Sequence, residues 1–230
     1  MELQYVPIAL PFFLLFFGLF IFLVILIQLH VLHFAYAKLG LSSGAALLVL
    51  LASLIGSYFN IPLTELPERE VRSGQVVEFF GMRYVMPLVT DWPRTVIAVN
   101  IGGAVIPNLL SLYLLIKNDI LSSPAVAIAV VMVACYLLAQ PVSGVGIAIP
   151  SLAPPIIAAT TALLVAERNV AAVEYVGGSL GTHIGADLLN LGKIQGLGAP
   201  VMSIGGAGTF DGIFLTGILA VLLASFSPRA

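Results

Sequence analysis

Charged residues are scarce in this 230-residue chain, where nine Lys and Arg and eleven Asp and Glu make up only 9% of the sequence. Soluble globular domains carry roughly 25% charged residues, so this chain has too few to cover a water-facing surface. Its basic residues form no cluster, and we therefore expect no nucleic-acid partner. The single cysteine, Cys135, cannot form an internal disulfide, which excludes a disulfide-stabilised scaffold.

Apolar residues make up 60% of the chain, and its mean hydropathy is +1.12. Several apolar runs approach or exceed the ~20 residues that cross a bilayer. This composition excludes a soluble enzyme, a disordered chain and a collagen, and it predicts an all-α polytopic transmembrane helix bundle. The run at 6–37 follows an acidic residue and lacks a small-residue cleavage pattern, so we expect a retained first span.

Charged residues and prolines divide the chain into about seven predicted spans, which we expect to form one transmembrane domain over 1–230. The spans are predicted at 6–37, 41–59, 95–116, 124–138, 155–166, 173–191 and 204–226. We therefore expect an integral, multi-pass protein of a prokaryotic cell membrane, surrounded by the lipid bilayer. The basic residues divide almost evenly between the two sides, so the positive-inside rule leaves the orientation open.

Two segments interrupt this pattern. Residues 60–94 hold nine of the twenty charges, so we expect an extramembrane segment there, and the β-branched and aromatic stretch 75–86 within it predicts a short β-hairpin. Residues 140–155 are uncharged but contain four prolines and two glycines. Non-helical backbone at membrane depth requires protein or water to satisfy its polar groups, so we expect a buried bend or re-entrant loop.

Two acidic residues in the predicted spans are the main candidates for chemistry, Asp187 in span six and Asp211 in span seven. A charge at the bilayer centre costs ~2.5–3.5 kcal/mol on insertion scales, so an intramembrane carboxylate indicates a function. The turn-like stretch 192–200 separates the two, and an antiparallel helix pair would bring both carboxyl groups to a similar depth. Two adjacent carboxyl groups share a proton, which suits either aspartic proteolysis or proton- or cation-coupled transport.

The motif Gly208-Thr-Phe-Asp211 resembles the Gly-x-Gly-Asp motif of intramembrane aspartyl proteases, the presenilin and signal-peptide-peptidase group. Ala186-Asp187 resembles the Tyr-Asp motif on the preceding helix of archaeal members. The resemblance covers about 45 residues and implies a catalytic dyad of Asp187 and Asp211 that hydrolyses peptide bonds of a transmembrane protein substrate. It implies neither a metal nor another cofactor. Phe210 and Ala186 depart from the two motifs.

Other residues are predicted to bind substrate at this site. The resemblance implies such a role for Gly208 and for Pro150-Ser151-Leu152, a displaced counterpart of the family's Pro-Ala-Leu motif. Asn100 could face the aspartates from span three. Asn190 follows Asp187 by three residues, and His183 precedes it by four on the same helix face. Asn100 and Asn190 could instead form interhelical hydrogen bonds, and His183 could tune the aspartate pair, join a cation site or have only a structural role.

The sequence as a whole also resembles an uncharacterised prokaryotic membrane-protein family of unknown function, which implies no activity. Two stretches, 101–110 and 184–191, are weakly similar to each other. An internal repeat of this kind would favour a transporter. A scaffold that only binds partners is the third possibility, and it would leave both aspartates replaceable.

Overall fold

The computed structural model describes residues 17–22, 37–66, 76–79, 82–85, 95–142, 146–194, 201–206 and 212–224. The helices of these ranges are α1 (Ser43–Gly56), α2 (Ile106–Asn118), α3 (Ser122–Leu138), α4 (Ala153–Val165), α5 (Val170–Thr182) and α6 (Gly212–Ala224). The strands are β1 (Asn60–Leu66), β2 (Val76–Phe79), β3 (Met82–Val85), β4 (Thr95–Asn100), β5 (Gln140–Val142), β6 (Gly146–Ala148) and β7 (Val201–Ile204).

Two π-helices extend regular helices of the chain. The first π-helix (Ile101–Val105) connects β4 directly to α2, and the second π-helix (His183–Asp187) continues α5. A 3-10 helix (Leu188–Lys193) follows the second π-helix. Single-turn π segments within helices are rare and occur frequently at functional sites.

A three-stranded sheet has the order β1-β4-β7. β1 is antiparallel to β4, with Asn60 opposite Asn100. β7 is parallel to β4, with Val99 opposite Ile204. Because β4 and β7 are parallel, their carboxyl ends lie at the same edge of the sheet, and the two chain segments that leave this edge are the first π-helix and the segment that begins at Gly205.

The helical core is centred on α5, where every residue except Leu180 is buried. Helices α2, α3, α4 and α6 pack around it. Small residues allow the close approach of α3, because a methyl group added at Gly177 would lie 2.6 Å from the Ala127 side chain and one added at Gly181 would lie 2.6 Å from Val131. α5 therefore lies close to the α3 backbone at these glycines.

The all-α, seven-span bundle that we expected is wrong. The described residues combine helices with a three-stranded sheet and two two-stranded sheets. The predicted span 95–116 begins as strand β4 and becomes helical only at Ile101, and the predicted span 204–226 begins at the last residue of β7. Most of the expected span at 6–37 lies outside the described residues.

The error has a physical cause. Hydropathy measures how apolar a stretch is, and a short apolar run of β-branched residues suits a buried strand as well as a helix. The sequence Thr-Val-Ile-Ala-Val-Asn of β4 is such a run, and it pairs with a strand on each side. Pairing with β1 and β7 satisfies backbone groups that a helix would satisfy internally.

One continuous helix, Ile101–Asn118, is long and apolar enough to cross a membrane. Among the described residues, the helices Ser43–Gly56, Ser122–Leu138 and Ala153–Val165 are apolar but shorter. By length and composition this is weak support for membrane association through a single helix, and it does not support a multi-pass arrangement.

The predicted hairpin within 75–86 is confirmed, because β2 pairs antiparallel with β3 from Val76 opposite Val85 to Phe79 opposite Met82. Residues 140–155 contain a second antiparallel pair, β5 with β6, before α4 begins at Ala153. β6 contacts the second π-helix. The proline-rich segment therefore approaches the Asp187 region through a strand.

Candidate functional site

Asp187 is the last residue of the second π-helix and is half-buried. Its Oδ2 atom accepts a hydrogen bond of 3.0 Å from the backbone N–H of Gly205, the first residue after β7. The bond brings Asp187 to the carboxyl edge of the three-stranded sheet. It also orients the carboxyl group toward the turn that begins at Gly205.

Gly205 is required at this position for two reasons. Its φ of +83° lies in the left-handed region, and an added Cβ would meet the Ala104 backbone nitrogen and side chain at 2.6 Å. Gly206 also has a positive φ, of +85°, and its N–H donates to the Ser203 carbonyl oxygen at 3.1 Å. The tight turn after β7 thus packs directly on the first π-helix while its first N–H group faces Asp187.

Asn190 supports the backbone just before Asp187. Its side-chain nitrogen donates to the carbonyl oxygens of Gly185 at 2.8 Å and Ala186 at 3.0 Å. These carbonyl groups lie where the π-helix changes into the 3-10 helix, and irregular backbone of this kind leaves acceptors that need a partner. Asn190 is fully buried, so its side chain fixes the backbone immediately before Asp187, and its role in substrate binding stays a prediction.

His183 is held by Asn108 of α2. The Asn108 side-chain nitrogen lies 2.7 Å from His183 Nδ1, so an amide that donates here leaves the ring proton on Nε2. Burial lowers the pKa of His183 from its ordinary value of 6.5, which favours a neutral ring at neutral pH. The contact joins α2 to the second π-helix on the approach to Asp187.

Asn100 is buried at the carboxyl end of β4, and its side chain forms three hydrogen bonds. Its Oδ1 accepts from the Gly103 N–H at 2.8 Å, and its Nδ2 donates to the Ser57 carbonyl oxygen at 2.7 Å and to Asn60 Oδ1 at 3.0 Å. It therefore caps the first π-helix and fastens α1 and β1 to it. The next position in register on β7 is Gly205, so Asn100 belongs to the same sheet edge as the Asp187 contact.

The other residues predicted for the site do not join Asp187 in the part of the chain that the structure describes. Asp211 and Gly208 lie outside the described residues, so the structure gives no separation for the predicted dyad. Pro150 precedes a turn in which its carbonyl oxygen accepts from the Ala153 N–H at 3.1 Å, and Ser151 and Leu152 are exposed beside it. The structure brings Asp187, Asn190 and His183 together on one helical segment.

The arrangement provides a carboxyl group held by a backbone N–H group at the sheet edge, and an imidazole four residues earlier on the same helical segment. Such groups can orient water or a peptide carbonyl and can exchange protons. No group of three or more His, Cys, Asp or Glu residues with metal-binding geometry occurs within the part of the chain that the structure describes.

Two residues that contact this site, and one buried acidic residue elsewhere, were not predicted from the sequence. Gly205 and Asn108 were visible only as members of Gly-rich and polar stretches, and their roles depend on contacts across the fold. Glu174, which lies away from this site, is a second acidic residue of the predicted span 173–191, and it is almost completely buried. The signal in the sequence was that Glu174 is the second residue of that apolar span.

No curated protein and no solved structure matches the chain. The profile of one family matches residues 54–223, which include β1 to β7, both π-helices and Asp187. That family is described as a protein of unknown function, and the match covers well over half of the sequence. The chain therefore belongs to the DUF1614 family.

Proposed function

We propose that the protein is an aspartyl protease-like enzyme that hydrolyses peptide bonds within or near a membrane, with Asp187 and Asp211 as its catalytic pair. The observation that carries the proposal is the hydrogen bond between Asp187 and Gly205. It ties the first aspartate to the segment that ends six residues later at the second, just before α6 begins.

The chemistry requires two carboxyl groups in different protonation states. One carboxylate takes a proton from the attacking water, and the protonated partner polarises the peptide carbonyl group. The Gly205 N–H fixes the orientation of one Asp187 oxygen, and Asn190 supports the backbone from which that carboxyl group projects. Preorganised groups of this kind reduce the cost of aligning water and substrate.

The helix Ile101–Asn118 is the proposed membrane-associated element. Leu109, Leu112 and Ile116 on it are 60%, 52% and 72% exposed, which forms an apolar surface that lipid would cover. Its amino-terminal π-helix contacts Gly205, so this anchor would hold the Asp187 site beside the bilayer. A transmembrane protein substrate would then reach the site from the membrane.

The test uses the purified full chain in detergent or liposomes with a transmembrane peptide substrate. We expect Asp187→Asn and Asp211→Asn each to lower cleavage by at least about 10³-fold, because both remove a group that must exchange a proton. Asp119→Asn is the matched control. Asp119 is exposed and has a left-handed backbone conformation that Asn tolerates. The Asp119→Asn variant should therefore cleave the substrate at the wild-type rate. Full cleavage by both single variants at 187 and 211 would refute the proposal.

Proton- or cation-coupled transport is the second candidate, and one observation favours it. The weakly similar stretches 101–110 and 184–191 overlap the first and second π-helices, respectively. Paired irregular helices are typical of transporters built from repeats. For this function, proteoliposomes would show gradient-dependent uptake that Asp187→Asn abolishes, and neither protein would cleave the peptide substrate.

A further inference from the structure

Glu174 lies in the first half of α5, within the helical core and away from the Asp187 site. It is 1% exposed, and neither carboxyl oxygen has a hydrogen-bond partner among the described residues. Gly177, Gly178 and Gly181 follow it at helical spacing on the same side of α5. Because those glycines contact α3, α4 and α6, Glu174 points toward the same packed helices.

Among the described residues, no cationic side chain faces Glu174 from the helices that pack against α5. α4 and α6 carry no titratable residue. On α3, Cys135 is buried and Tyr136 is 40% exposed. On α2, Tyr113 is half exposed and Lys117 is exposed, with its Nζ bonded to the Gly40 carbonyl oxygen at 2.6 Å.

Groups along the length of α5 do not supply a counter-charge either. His183 and Asp187 lie at the opposite end of the helix, beyond two further helical turns. Tyr175 is adjacent in sequence but projects about 100° around the helix, beside Gly217 of α6. A carboxylate in such surroundings is costly, because burial removes its hydration without a compensating positive charge.

We propose that Glu174 is a proton-binding site of the helical core and that release of its proton opens α5 from α3 and α4. Burial raises the pKa of Glu174 from 4.5 to about 9, consistent with a neutral carboxyl group at neutral pH. When the O–H bond breaks, the proton passes to water, and the remaining negative charge must gain hydration.

In this proposal, the proton would reach water through a cleft near the amino-terminal end of α5. A cleft of about 620 Å³ is lined there by Asp119, Ser123, Glu167 and Arg168, among others. α5 begins two residues after Arg168, and Glu174 follows its first residue by one helical turn, which corresponds to ~6 Å along the axis. The helices that border this cleft, α3 and α4, are those from which α5 would separate.

Cys135 provides an internal probe of this opening. It is the single cysteine of the chain and is fully buried, and its thiol donates to Thr182 Oγ1 of α5 at 3.6 Å. A maleimide reaches the thiol only when α3 and α5 separate. The labelling rate therefore reports the population of the opened state multiplied by the thiolate fraction within it.

The proposal predicts how this rate changes between about pH 6 and about pH 8. Thiolate formation alone raises the rate about tenfold per pH unit below the thiol pKa. If opening also releases the Glu174 proton, the opened population rises by another factor of about ten per unit. The logarithm of the rate should thus have a slope of about two in the wild type and about one in Glu174→Gln.

Glu167→Gln is the matched control, because Glu167 is exposed at the cleft and should leave the slope near two. Glu174→Leu, of similar volume, should also give a slope near one and replaces Glu174→Gln if that variant does not fold. Equal slopes in the wild type and in a folded Glu174 variant would overturn the proposal. The readout involves no substrate, so it is independent of whether Asp187 and Asp211 catalyse hydrolysis.

Discussion

Asp187 and Gly205 are joined across eighteen positions of sequence by a bond from the Gly205 N–H to Asp187 Oδ2. Asp187 comes from the irregular end of the α5 segment, whereas Gly205 comes from the end of a parallel strand. The pair therefore connects the helical core to the sheet. It makes the position of an acidic side chain depend on the backbone of a glycine turn.

Gly205→Ala should destabilise the protein strongly. Alanine is strained at a φ of +83°, and its Cβ would meet the Ala104 backbone nitrogen at 2.6 Å. Together these effects should cost at least about 2 kcal/mol in the free energy of unfolding. Denaturant unfolding measures the loss. Gly192→Ala is the control, because a Cβ at Gly192 meets no atom within 4 Å, and an equal loss in both variants would contradict the argument.

Asn190→Ala should lower both stability and the proposed activity. The carbonyl groups of Gly185 and Ala186 would lose their buried partner, at a cost of about 1–3 kcal/mol. Asn118→Ala is a suitable comparison, because Asn118 makes one such bond, to the Leu114 carbonyl oxygen, at a half-buried position. Unfolding midpoints and cleavage rates measured in parallel should show the larger change for Asn190, and a reversed order would refute this role.

Asn100→Ala should separate α1 and β1 from the first π-helix. The variant loses three side-chain hydrogen bonds at a buried position, and we expect a cost of about 2–4 kcal/mol. Asn60→Ala removes one partner of Asn100 at an exposed position and should cost less. Thermal unfolding of the two variants provides the comparison. A loss for Asn100→Ala no greater than that for Asn60→Ala would mean that this side chain does not stabilise the junction.

Because of His183, the free energy of unfolding should be smaller in acid than at neutral pH. Its pKa is lowered by burial in the folded state, so the unfolded chain binds more protons as the pH falls below about 6.5. The free energy of unfolding should therefore decrease below that pH, and His183→Gln should remove part of the decrease. Urea unfolding at several pH values measures the difference between the two proteins. Parallel curves for both would exclude this contribution.

Glu174 should produce the opposite dependence at higher pH. Its folded-state pKa of about 9 exceeds the ordinary value of 4.5, so between these values the folded protein holds a proton that the unfolded chain has lost. Stability should decrease as the pH rises through this interval, and the decrease should be smaller in Glu174→Gln. Calorimetry of the wild type and of Glu174→Gln at several pH values between these two pKa values measures the change in stability. Identical pH profiles for the two proteins would show that Glu174 does not carry the proton.

The helical parts of the fold were largely accessible from the sequence. The predicted spans 124–138 and 155–166 correspond closely to α3 and α4, because long apolar stretches ended by charges or prolines favour helices. The hairpin within 75–86 was also predicted correctly from its β-branched and aromatic residues. In each case the signal is local, so neighbouring residues were sufficient.

The sheet and most of the site contacts were not accessible in this way. β4 and β7 are separated by a hundred residues. Because they pair, the first residues of the apolar run 95–116 form a strand instead of a helix. Asn190 and His183 were singled out because they lie near Asp187 in sequence, whereas Gly205 and Asn108 reach the same region through long-range contacts. The periodicity of side chains along the sequence does not show which distant group will form a hydrogen bond with a given polar group once the chain has folded.

The sequence by itself determined the apolar character of the chain, the scarcity of charges and the positions where acidic residues interrupt apolar stretches. Only the tertiary structure decided that β4 becomes a central strand, that the Gly205 N–H meets Asp187, and that Glu174 is enclosed with no hydrogen-bond partner among the described residues. The physical reason is that composition sets the free energy of burial for each residue type. The partner that a buried polar group obtains depends on which segments the fold brings together.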